Sequence, residues 1–171
     1  TPNPRDEVEV PEHILDIAQK LLKTKGISPA QGHRIVVCDP FFCTGRSAKF
    51  WRKLGFIVIH DPNFDYHNPK GPKPGMDYDW LITCGPFSES MFLMKRITFE
   101  PQCMVLMMND TLGRGIFQAY DAQKVFIKKG IKFIKTDGTQ HKKPHPNTFL
   151  WLCKGLDLPV DSIWVNQNGS L

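Results

Sequence analysis

Between residues 11 and 25 the apolar positions Ile14, Ile17, Ala18, Leu21 and Leu22 fall on one stripe at helical spacing. Pro11 suits a first helical position and Gly26 a C-terminal cap, so the pattern predicts a helix over 11–25. The ten residues before it hold two prolines and alternating charge without an apolar period, and read as an extended arm. The pattern then changes to short β-branched and aromatic runs separated by turn residues. Arg34–Cys38 reads as a buried strand that stops at Asp39-Pro40, because no central strand continues through a proline. Ala48, Trp51 and Leu54 share a helical face over 46–54, Gly55 ends that helix, and 56–59 is a second strand. Residues 34–60 therefore spell a βαβ unit.

Residues 61–76 contain four prolines and two glycines and read as an ordered, irregular loop. Strands are predicted over 79–83, 103–108, 131–134 and, last, 148–153. Ser88 is an expected N-cap for a helix reaching Ile97. Residues 114–129 read as helical in two pieces, and 141–146 as a basic, proline-containing loop. Trp80, Trp151 and the methionines 104, 107 and 108 alternate within strands and are expected in the core. Alternating strands and helices give an α/β fold, a three-layer sandwich around a mostly parallel sheet. With 171 residues, the whole of 11–171 is expected to be one domain.

Composition narrows the class. Hydrophobic residues make up 41 % and charged residues 23 %, which supports a packed core. The apolar runs are only a few residues long, against the roughly 20 that a bilayer-crossing helix needs, so no membrane partner is expected. Lys plus Arg number 22 against 17 acids, a formal +5, which favours a polyanionic partner. The five cysteines at 38, 43, 84, 103 and 153 contain no C-x-x-C pair and several lie in strand-like runs. That implies a reducing, intracellular compartment and no disulfide framework or zinc ribbon. The chain starts at Thr1, as a trimmed product does, and the organelle is not legible.

In open α/β sheets, ligands bind beyond the carboxyl ends of the strands near the point where the strand order reverses. The residues that follow each strand are then the candidate chemistry: Asp39 to Gly45 after the first, Asp61 after the second, and Cys84 to Ser88 after the third. A carboxylate after the first strand can meet a ligand ammonium, a small-residue turn admits close backbone approach, and an acid after the second can hold ribose hydroxyls.

Asp39-Pro40-Phe41-x-x-x-Gly45 resembles the D-P-F-x-G-x-G loop of class I S-adenosylmethionine-dependent methyltransferases, particularly those that methylate adenine N6 or cytosine N4. Tyr78 to Ser88 is similar to that family's strand followed by (D/N)-P-P-(Y/F). The resemblance spans about 11–153 and implies the Rossmann-like methyltransferase fold. It implies that Asp39, Phe41, Thr44 and Gly45 line the methionine part of S-adenosylmethionine, that Asp61 holds its ribose, and that Asp65 or Phe64 flanks its adenine. It implies further that Phe87 stacks on a flipped base and that Pro86, with Cys84 and Gly85, forms the turn facing the target amine. This sequence departs from the pattern at two places. Cys43 stands where the family has its middle glycine, at a cost on the order of 1 to 3 kcal/mol if the backbone takes φ > 0. Cys84-Gly85 replaces the Asn/Asp-Pro pair, and a thiol is a weak acceptor for an amine.

Plainer readings stand beside these. Asp39-Pro40 also serves as a strand terminator, and Asp61 as a turn residue. Cys84 is either a buried structural thiol or, as in cytosine-C5 methyltransferases, a thiolate nucleophile. His141-x-x-x-His145 lacks the further ligands a metal needs. Lys128, Lys129, Lys142 and Lys143 form either a solvated face or the phosphate contacts of a nucleic-acid surface. The expectation is an S-adenosylmethionine-dependent protein acting on a base amino group. So short a chain leaves specificity to RNA shape, a ribonucleoprotein or a protein partner. Its alternative is a catalytically silent methyltransferase-fold scaffold in a nucleic-acid assembly.

Overall fold

The computed structural model describes residues 8–29, 32–41, 43–59, 71–85, 90–114 and 121–171. The first helix, α1 (Glu12–Thr24), buries Ile14, Leu15, Ile17, Ala18 and Leu22. Its end is fixed by Gly26 at φ 78°, with the Gly26 N–H donating to the Lys23 carbonyl (2.9 Å) and the Ile27 N–H to that of Leu22 (3.0 Å). This is a Schellman closure, in which a residue without a Cβ takes the left-handed turn.

Strands β2 (Val36–Cys38) and β3 (Ile57–Ile59) pair in parallel and are joined by α2 (Arg46–Lys53), so the expected βαβ unit is present. Strands β4 (Trp80–Thr83) and β5 (Cys103–Met108) extend the parallel sheet, with α3 (Ser90–Ile97) between them. The full order is β3-β2-β4-β5-β8-β6-β9, with β6 Gln123–Ile127, β8 Phe149–Lys154 and β9 Ser162–Val165. Only β8 runs against its neighbours, so the sheet is mostly parallel and the fold is mixed α/β.

Period-2 alternation sends the two faces of each strand into different apolar clusters. Val37, Trp80, Ile82, Met104, Leu106, Val125, Trp151 and Cys153 pack with the α1 and α2 side chains. Cys38, Leu81, Val105, Met107, Leu150 and Leu152 pack with Leu93, Met94 and Ile97 of α3. Trp80, Trp151, Met104 and Met107 are buried as expected, whereas Met108 is only half-buried at the strand end. No helix among the described residues is long and apolar enough to cross a membrane.

Three sequence expectations fail. Residues 123–127 are strand rather than helix: Val125 and Ile127 are fully buried, and pairing with β8 and β9 outweighs helical propensity. The run 131–134 is not a strand of the main sheet. Ile134–Lys135 forms β7, paired antiparallel with β1 (Val8–Glu9) in a separate ribbon, so the end of the expected arm belongs to the fold. Strand β8 is not the last; β9 follows it at the sheet edge. Asn109–Arg114, to which the sequence pattern assigns no element before residue 114, forms a 3-10 turn. Ser88 and the stretch 115–120 lie outside the described residues.

Candidate functional site

The chain passes from β2 to β3 on one side and to β4 on the other, so the strand order reverses at β2. The crevice expected at such a reversal lies beyond the carboxyl ends of β2 and β4, where the two motifs stand. Asp39 is 3 % exposed. Its Oδ1 accepts from the Thr83 hydroxyl (2.6 Å) and from the Phe41 N–H (3.3 Å), and its Oδ2 accepts from the Ser47 hydroxyl (2.5 Å). Its own N–H donates to the Ile59 carbonyl at 3.1 Å. One side chain thus ties the ends of β2 and β4 to the first turn of α2. A carboxylate has about four acceptor positions, and three of them are engaged here by its own chain.

The loop between β2 and α2 turns through Cys43 at φ 45° and Gly45 at φ 84°. Cys43 therefore does hold the left-handed conformation, at a cost on the order of 1 to 3 kcal/mol for a residue with a Cβ. What holds the loop is Glu9 from β1, whose side chain is 6 % exposed. Its Oε1 accepts from the Thr44 N–H (2.6 Å) and from the Thr44 hydroxyl, and its Oε2 pairs with Arg46 Nε at 3.0 Å. The turn containing Gly138 closes over the same arginine. A Cβ on Gly138 would lie 2.6 Å from the Arg46 guanidinium.

The second bend meets the first directly. A Cβ built on Gly85 would lie 2.8 Å from the Phe41 ring and 2.5 Å from Leu93 Cδ1, so any larger residue would have to push these side chains aside. The proline that the resemblance leads one to expect at this position would carry that Cβ. The Cys84 thiol is pushed up to about 12, first by burial and then by the charges of Asp39 and Cys43. It stays protonated near neutrality, which disfavours a thiolate nucleophile and leaves a weak acceptor. Pro86, Phe87, Asp61, Asp65 and Phe64 lie outside the described residues.

The basic residues gather at the same end of the sheet. Strand β6 runs parallel to β5, because both are antiparallel to β8. Lys128 and Lys129 therefore leave β6 at the carboxyl end, and Lys142 and Lys143 enter β8 there. The two loops touch: the His145 N–H donates to the Ile131 carbonyl at 2.8 Å, and a Cβ on Gly130 would lie 2.7 Å from Pro144 Cβ. All four lysines are exposed, and none makes an ion pair with a described residue. Two strand spacings, about 10 Å, separate β4 from β8. His145 packs edge-on to Phe133 and Phe149, and burial holds its pKa below the usual histidine range. Among the described residues no group of three or more metal-ligating side chains gathers.

No protein-family model matches the chain, and no curated protein does. The site therefore rests on its geometry. Glu9, Ser47 and Thr83 were not legible as site residues. Glu9 acts across 35 residues, from a segment that carries no motif.

Proposed function

We propose that this chain carries the three-layer, Rossmann-like methyltransferase fold and works as a catalytically silent scaffold in a nucleic-acid assembly, with RNA or a ribonucleoprotein favoured over DNA. The observation that carries this reading is the occupation of the first bend by the chain's own groups. The Thr44 amide and hydroxyl, the donors suited to a ligand carboxylate, are engaged by Glu9. Asp39, the acceptor suited to a ligand ammonium, is engaged by Thr83, Ser47 and the Phe41 amide. The described residues of this bend do not fit the methionine end of S-adenosylmethionine in this arrangement. Cys84 supplies no strong acceptor for a base amine, and Gly85 is closed over by Phe41 and Leu93. The exposed lysine loops on the same rim support the polyanionic partner.

A second reading keeps the enzyme, an S-adenosylmethionine-dependent methyltransferase acting on a base amino group. The meeting of the two bends at the strand-order reversal favours it, because that is where a nucleoside cofactor would bind. Calorimetric titration with S-adenosylhomocysteine separates the two. The scaffold reading expects no binding heat and no thermal shift at millimolar ligand. A ligand present at 100 times its dissociation constant would add about 2.7 kcal/mol of stability, and such a shift would show the bend open to the nucleoside and favour the enzymatic reading instead.

A further inference from the structure

The edge of the sheet opposite the two bends carries an aromatic pair that neither reading uses. Trp164 on β9 stacks on Phe126 of β6, with centroids 4.7 Å apart and an interplanar angle of 18°. Its side chain is 49 % exposed, whereas Trp51, Trp80 and Trp151 are at most 2 % exposed. Alternate positions along β6 place Lys124, Phe126 and Lys128 on one face, and the Lys128 N–H continues the ladder by donating to the Val165 carbonyl at 2.8 Å. Neither lysine makes an ion pair with a described residue. The nearest acid along β9, Asp161, sits at the Lys124 end, where its carbonyl accepts from the Lys124 N–H. Ser162 and Asn166 flank Trp164 without adding charge.

Burying an indole in the core would be the ordinary outcome of folding, and this chain does so with its other three. Here the half-exposed ring lies flat on a second aromatic whose own strand carries Lys124 and Lys128 on the same face. Base-stacking aromatics beside a basic track are the physical signature of single-strand binding without sequence preference. We propose that Trp164, backed by Phe126 and flanked by Lys124 and Lys128, is a stacking platform for a base of single-stranded RNA. This rests on the nucleic-acid partner proposed above, in its scaffold and enzymatic forms alike.

The test titrates the full chain with a ten-nucleotide uridine oligomer at two salt concentrations, reading tryptophan fluorescence. Because Trp164 is the exposed indole, stacking should quench its emission, and Trp164→Phe should remove the signal while largely keeping affinity. Trp164→Ala should weaken binding about five- to 150-fold. Lys124→Ala with Lys128→Ala should flatten the salt dependence. Urea midpoints confirm that each variant folds. Undiminished binding by Trp164→Ala, with loss in a Lys142→Ala, Lys143→Ala variant, would overturn the platform and leave the nucleic-acid reading standing. No binding by the wild type would overturn both. Self-association that Trp164→Ala abolishes, without quenching by the oligomer, would give this edge to a second copy of the chain and overturn the platform.

Discussion

Along the carboxyl end of one sheet, the loop after β2 and the loops around β6 and β8 treat their polar groups in opposite ways. Behind β2, Asp39 and Glu9 are buried and their oxygens accept from Thr83, Ser47, Phe41 and Thr44 of the same chain. At β6 and β8, Lys128, Lys129, Lys142 and Lys143 stand in solvent without ion-pair partners among the described residues. A polar group satisfied internally stabilises the fold but has little left for a ligand, because the ligand must first displace the internal partner. A solvated cation adds almost nothing to stability and remains available to a polyanion. Substitutions at the first region should therefore be read in stability, and those at the second in affinity.

The largest effect expected is that of Asp39→Ala. It leaves the buried Thr83 hydroxyl and the Ser47 hydroxyl without their acceptor, at a cost of about 3 kcal/mol in urea unfolding, while oligonucleotide affinity stays unchanged. An equal loss of affinity would erase the contrast between the regions. Gly85→Ala should cost about 2 kcal/mol, because the added methyl collides with Leu93 and the Phe41 ring. A neutral outcome would mean that the two bends are not packed together. Replacing both Lys142 and Lys143 by alanine should move stability by less than about 0.5 kcal/mol. It should lower the slope of log affinity against log salt by about 1.4 for a single strand.

Smallest is a difference in thiol chemistry. At pH 8 iodoacetamide should label the exposed Cys43 and spare Cys84, as peptide mass spectrometry would show. Cys84 and Cys103 are both held up to about 12 in the fold against an ordinary 9. Above pH 9 the folded chain thus binds more protons than the unfolded one, and stability should fall as pH rises from 9 toward 12. A flat profile would remove the case for a protonated Cys84.

The parts of the fold carried by local pattern were legible in the sequence. The α1 stripe, its Gly26 stop and the βαβ unit follow from spacing and turn residues, and so did the position of both bends at strand ends. Residues 123–127 suit a helix as well as a strand on local pattern, because lysines beside an apolar run fit either element. What decides it is burial of Val125 and Ile127 between distant strands, which no local window contains. Strand β9 carries a local signal of its own, the β-branched and aromatic run Ile163-Trp164-Val165. The roles of Asp39 and Thr44 depend on partners at 83, 47 and 9. The nearest of these is set by helix α2, and the others by tertiary closure. The motifs place these groups at the strand ends, but the partners that engage them lie elsewhere in the chain and carry no motif.

Occupation of the first bend by Glu9 is tested most directly by hydrogen exchange of the Thr44 N–H. In the wild type it should be protected by Glu9, Glu9→Ala should speed its exchange, and millimolar S-adenosylhomocysteine should leave the wild-type rate unchanged. Rapid exchange in the wild type that slows only when the nucleoside is added would show the bend open and ligand-binding, and would contradict the scaffold reading.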